Sequence, residues 1–344
     1  MTRWLLLSCL LAAGISPATL RAQKELEKEY QGDWATPPPV QPKLSGDLTA
    51  AERAEAAAWI NKFLELFHKM PLLNDPRGFR VIVHAQAHPE NLDDSATEGR
   101  AKHVIGFVQL NLASFEKTEN GIAPVETDSA ASIQIAVNDL APVFGTASMG
   151  TGPEQAGDFR LGMPQPDGTI HGFPVYDRWV VIQKSDTPLF APVTRGDYLK
   201  YELKKAEDRL AAMRKRSANA PQSSAVPAEE TLNAEQPVQE ALDAQATIVE
   251  QLKQQSAGMS PDEAGLPATL SDTGEDGPVQ FSSPDDAGAT PVVTFNPALF
   301  DSSASRSAPR ILAIRFDTDD ADWPDILQTI DQQLDWQGLQ SLLR

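Results

Sequence analysis

The chain has 344 residues, 41% hydrophobic and 22% charged, enough apolar material for a packed core. Its 29 basic and 48 acidic residues give a net charge of −19, a balance that repels nucleic acid and anionic lipid headgroups. The single cysteine, Cys9, sits in the N-terminal apolar run. Its loss with that run excludes a disulfide framework and thiol chemistry.

The first 22 residues, MTRWLLLSCLLAAGISPATLRA, combine Arg3, an apolar stretch from Trp4 to Ile15 and a small-residue end. That stretch is too short to span a bilayer and has the form of a secretory signal peptide. The expected location is therefore periplasmic or secreted, with no stable membrane span after cleavage. Removing residues 1–22 takes away two arginines and no acid, leaving 27 basic against 48 acidic residues. Residues 23–47 follow as a Pro-rich tether, in which Pro37, Pro38, Pro39 and Pro42 favour extended chain over a packed element.

Folded structure is expected from residue 48. Thr49-Ala-Ala-Glu52 forms a capping box, and Ile60, Phe63, Leu64 and Phe67 recur at helical spacing until Met70-Pro71 ends the helix. From 78 to 184 the period falls to two. RVIVHAQA at 80–87, HVIGFVQLNL at 103–112, SIQIAV at 132–137 and RWVVIQK at 178–184 are strands, and PDG at 166–168 is a turn between DFRLGM and TIHGFPVY. Strands that succeed one another without helices predict an antiparallel sheet, so residues 48–192 make the N-terminal part of an α+β domain.

Residues 193–257 read as an inserted helical hairpin. Thr194 and Asp197 cap the first helix, whose Leu199, Leu203, Ala206, Leu210 and Met213 form a narrow stripe. A linker at 217–233 leads to a second helix from about 237 to 256, with Val238, Leu242, Val249 and Leu252 apolar and Gln245 interrupting the stripe. Both stripes have the width of a coiled-coil seam. An irregular acidic segment at 258–290 follows. Residues 291–344 complete the domain with strands VVTF and RILAIRF and with short helices carrying Ile326, Leu327, Ile330, Leu334, Trp336, Leu339 and Leu342.

Candidate chemistry centres on His84 and His88, four residues apart in RVIVHAQAHPEN. On a helix, that spacing brings two imidazoles to one zinc ion. On a strand, four residues span about 13 Å, so the pair needs help. His103, at the start of the next strand, is the third candidate metal ligand, with Glu90, Asp93 or Asp94 from the intervening loop able to complete a site.

Other motifs fall short of their patterns. Asp317 to Asp322 lacks the glycine of a calcium loop and suits a helix N-terminus instead. MGTGPEQAG at 149–157 has neither the P-loop nor the dinucleotide spacing. Ser148 in TASMG lacks the first glycine of a nucleophile elbow. Arg209, Arg214, Lys215 and Arg216 close the first hairpin helix, where cations complement its dipole and an acidic partner could dock.

The expectation is an exported, non-catalytic α+β protein that acts as an interaction or binding module through its hairpin, without a cofactor. The alternative is a secreted metal-dependent hydrolase built on His84, His88 and His103. A third reading is a small-molecule binder using the loop at 139–168.

Overall fold

The computed structural model describes residues 30–90, 103–118, 121–140, 142–143, 155–156, 159–184, 186–218, 228–271, 278–300, 305–318 and 323–344. The signal segment 1–22, Asp93, Asp94, Ser148 and the acidic residues Asp319, Asp320 and Asp322 lie outside them.

In chain order the elements begin with β1 (Lys43–Leu44), α1 (Ala50–His68), α2 (Pro71–Asn74), β2 (Phe79–Pro89), β3 (Val104–Thr118) and β4 (Gly121–Val137). Next come β5 (Gln155–Ala156), β6 (Phe159–Leu161), β7 (Gly168–Ile170), β8 (Phe173–Tyr176), β9 (Trp179–Gln183) and β10 (Phe190–Pro192). The helical pair α3 (Arg195–Ala218) and α4 (Ala228–Gly258) is followed by α5 (Pro261–Ala264), β11 (Thr269–Leu270) and β12 (Thr290–Phe295). The chain closes with β13 (Ile311–Thr318), α6 (Pro324–Gln333) and α7 (Trp336–Ser341). This is a mixed α+β fold with mostly antiparallel strands and one helical pair. The chain divides into two compact units, one holding residues up to 88, 106–137 and 313–343, the other 89–105 and 138–312 with residue 344. The expected N-terminal part, 48–192, contributes to both.

In the first unit the strand order is β1-β2-β3-β4-β13, so the C-terminal strand lies beside β4 as a long-range return. Thr49 caps α1 through the reciprocal contacts its sequence predicts: Glu52 N donates to Thr49 Oγ1 (3.3 Å) and Thr49 N to Glu52 Oε2 (2.8 Å). Trp59, Ile60, Phe63, Leu64 and Phe67 of α1 are buried, as are Val108, Leu110 and Leu112 of β3 and Ile133, Ile135 and Val137 of β4. Gly106 makes room for α1, because a Cβ there would meet the Trp59 ring at 2.3 Å. The β3–β4 hairpin pairs from Gly106–Val137 to Thr118–Gly121 and shifts register around Ala113. Both strands run well beyond their predicted ends, since a long hairpin buries only alternate residues and its outer part lacks a strong apolar signal.

The described part of the Pro-rich segment is no tether. Ala35 N donates to Val81 O (2.9 Å), Val81 N to Asp33 O (2.9 Å), and β1 pairs in parallel with β2 at Gln86 and Ala87. Trp34 is buried and donates its indole N–H to Leu73 O (2.6 Å). Side chains of α1 hold the segment as well. Asn61 accepts from Val40 N (2.6 Å) and donates to Val40 O (3.1 Å). Arg53 donates to the carbonyls of Leu44, Gly46 and Leu48 (2.9–3.1 Å). The arm is extended, as its prolines require, yet packed.

In the second unit, β7, β8 and β9 form consecutive two-residue hairpins. The stretch TIHGFPVY is therefore two strands. It turns at His171 (φ 50) and Gly172 (φ 85), and the chain turns again at Asp177 (φ 44) and Arg178 (φ 69). Positive φ at both central residues matches the twist of the flanking strands, and His and Asp tolerate that region better than most residues. A second sheet runs β10-β12-β6-β5, with β11 on β12. Phe159, Val193, Tyr198, Ala268 and Val292 form its core. Segment 258–290, expected to be irregular, thus supplies α5, β11 and a buried Ala268. Asn138 (φ 55) is a buried hub, donating to Val104 O (3.1 Å) and Ala308 O (3.0 Å) while its Oδ1 accepts from Arg310 N (2.7 Å).

Candidate functional site

The three histidines behave differently from one another. His84 is exposed on β2, and β2 is extended through both His84 and His88, which rules out the helical i, i+4 arrangement for that pair. His88 is half-buried. His103 is buried, with its ring stacked on Phe300 at 3.9 Å and 20°. Glu90 N donates to His103 O (2.7 Å), so the ends of the 91–102 segment come together as a hairpin reading requires. Among the described residues, no three His, Cys, Asp or Glu side chains stand close enough to hold a metal ion. His68 edges α1 against Trp34, ring centroids 5.0 Å apart.

The acidic runs that are described serve local geometry. Asp317 accepts from Arg315 within β13. Asp286 Oδ2 accepts from Ser283 N (2.8 Å) and closes a turn.

The helical pair exposes a long and strongly charged surface. Thr194 caps α3: Asp197 N donates to Thr194 Oγ1 (3.1 Å), and that hydroxyl donates to Asp197 Oδ2 (2.8 Å). Gly196 packs on Ala264, just past the end of α4, so the two helices run antiparallel. Leu199, Ala206 and Leu210 meet Val249 and Leu252 in the seam, with Leu203, Leu242, Ala246 and Ile248 partly buried against them. Gln245 does not break the stripe. It is buried and donates to Ala206 O across the seam (3.1 Å), which gives an otherwise uniform apolar contact a fixed register.

Towards the hairpin's far end the seam opens. Met213 is half-buried and Val238 is 45% exposed. α4 begins at Ala228 rather than near 237 and runs through Pro237. Its first residues, AEETLNAEQ, are mostly good helix formers, and one proline costs a hydrogen bond without ending a long helix.

Charge is unevenly divided between the two helices. α3 carries eight basic and four acidic residues, α4 six acidic and one basic. Arg209, Arg214, Lys215 and Arg216 are all exposed, with no acid between Arg209 and the end of α3. A net-basic helix stands out in a chain of −19.

At the other end the pair is anchored. Arg195 donates to Ser282 O (3.3 Å), reaches Glu263 Oε1 (3.7 Å) and lies over the Phe281 ring (5.0 Å). Gln255 donates to Val279 O (2.6 Å). Two apolar side chains, Val279 and Phe281, thus sit against the seam while polar side chains from the helices hold the backbone between them. No sequence pattern pointed to this contact, because it joins α3 and α4 to a segment of Gly, Pro and Ser character.

Among the described residues no helix is long and apolar enough to cross a membrane. Comparison with protein-family models, curated proteins and solved structures returns no match.

Proposed function

We propose that this is an exported, non-catalytic binding module whose helical pair is its contact element for a protein partner. The observation that carries the reading is the pair itself. Its seam uses one narrow stripe of each helix, its outer faces are exposed, and its α3 face is basic within an acidic chain. A helix of this kind has no packing duty on its outer side, so the segregated charge is available to a partner. Export rests on the secretory form of residues 1–22.

A photo-crosslinking residue placed in turn at Ala212, Ala241 and the exposed Gln86 of the first unit, in the full chain, tests the proposal. A discrete crosslinked protein from the hairpin positions and none from Gln86 supports it. Crosslinks from neither hairpin position, together with a turnover that His88→Ala abolishes, would hand the case to the metal-dependent hydrolase.

A further inference from the structure

The two long faces of the helical pair are unlike. One carries the Lys253–Glu207 ion pair (3.0 Å) and therefore balances its charge within the pair. The other is built from Lys205, Arg209, Ala212 and Arg216 of α3, which step by four, three and four residues onto a common side. Beside them run Ala241, Ala244 and Ile248 of α4, at spacings of three and four. All seven are exposed except Ile248, which is half-buried. Nearest the anchored end, this second face is already occupied. Tyr198 and Gln255 belong to it, and they meet Phe281 (ring centroids 6.3 Å) and Val279 O respectively.

We infer that the uncovered remainder of this face is a docking groove for an acidic segment that carries apolar side chains. The deduction rests on the hairpin being the contact element. Charge complementarity selects the partner: one wall is a row of three exposed cations, Lys205, Arg209 and Arg216, and Glu202 lies 3.7 Å from Lys205. The other wall is uncharged and small-sided, so a partner backbone can approach closely and lay an apolar side chain on Ile248. Residues 279–282 show in cis how this face takes a segment: apolar side chains against the seam, carbonyls captured by Gln255 and Arg195. Carboxylates along the far side of the partner then pair with the α3 row. This is the groove mode of peptide recognition, with steering by charge and affinity from apolar contact.

The test uses the full chain and three labelled synthetic peptides of about 15 residues: one amphipathic in Glu, Leu and Ala, one with Ser in place of Leu, one with Lys in place of Glu. The first binds, and the other two bind at least tenfold more weakly. Lys205→Glu/Arg209→Glu/Arg216→Glu, whose side chains make no core contact, weakens the first peptide at least tenfold. Lys200→Glu, on the balanced face, leaves it within twofold. Equal binding of the Leu and Ser peptides, equal loss in both variants, or no binding of the first peptide at low salt overturns the groove. A crosslinked partner that survives the triple reversal keeps the hairpin as contact element and sinks only the groove.

Discussion

The Pro-rich arm and the helical pair use polar side chains to opposite ends. In the first unit, Asn61, Arg53 and Trp34 hold a proline-rich segment in place through hydrogen bonds to backbone groups. Behind them is a thick core of fully buried aromatic and aliphatic residues. In the second unit, the thin seam of the helical pair holds one buried polar residue among those described, Gln245, and beyond the anchored end most charged side chains of the pair face water. One region spends its polar chemistry on itself. The other leaves most of it exposed, and this difference is why the helical pair is the better candidate for a partner.

Substitutions sharpen the contrast. The largest effect is expected from Phe63→Ala, which empties a fully buried site in the first unit and should cost about 3–5 kcal/mol in denaturant unfolding. Leu252→Ala in the thin seam should cost less, about 2 kcal/mol, because exposed neighbours can collapse towards the gap. If Leu252→Ala proves the more damaging, the contrast between thick core and thin seam is wrong. Asn61→Ala leaves Val40 N and O without their side-chain partner and should cost about 1–2 kcal/mol, with faster hydrogen exchange at Val40. An unchanged exchange rate there would show that the arm holds without its clamp. The smallest change is expected from Lys253→Ala. It removes an ion pair between half-exposed side chains and should shift stability by about 0.5 kcal/mol or less.

A pH dependence belongs to the second unit. Burial pushes the Tyr176 hydroxyl above its ordinary value of 10.0. Below that value, folded and unfolded chains both keep the proton, and stability is unaffected. Above it the unfolded chain ionises first, so stability falls with rising pH until the folded tyrosine ionises as well. Tyr176→Phe should flatten this part of the profile in unfolding measured from neutral to alkaline pH. An identical slope in the variant would assign the loss to other groups.

Much of the local structure was legible in the residues. The capping boxes at Thr49 and Thr194, the apolar stripe of α1, the paired stripes of α3 and α4 and the strands around 80, 107, 134, 180 and 313 all follow from periodicity and side-chain chemistry. Other features were not. TIHGFPVY hid a turn, because a histidine at positive φ has no strong signature of its own. Residues 228–236 looked like a linker because prolines flank them, although their side chains favour helix. Val279 and Phe281 gave no sign of docking on the seam, since two apolar residues in a Gly- and Pro-rich stretch carry no period.

The candidate site divides along the same line. The basic run that ends α3 is visible in the sequence, but which of its members share a face with Ala241 and Ala244 depends on how the helices pair. The spacing of His84 and His88 is likewise visible, yet only the extended backbone between them decides that those two side chains cannot share an ion on their own.

What the sequence by itself determined was local: helix starts and ends, strand periods, and a surplus of acid. These depend on interactions within a few residues, where side-chain chemistry and backbone preference act directly. What only the tertiary structure decided was non-local: that the Pro-rich arm packs along β2, that Gln245 reaches across to Ala206, and that Val279 and Phe281 pack on the seam of the helical pair. Each joins residues tens of positions apart, and such contacts are selected by the packing of the whole unit rather than by any property of the segments they connect.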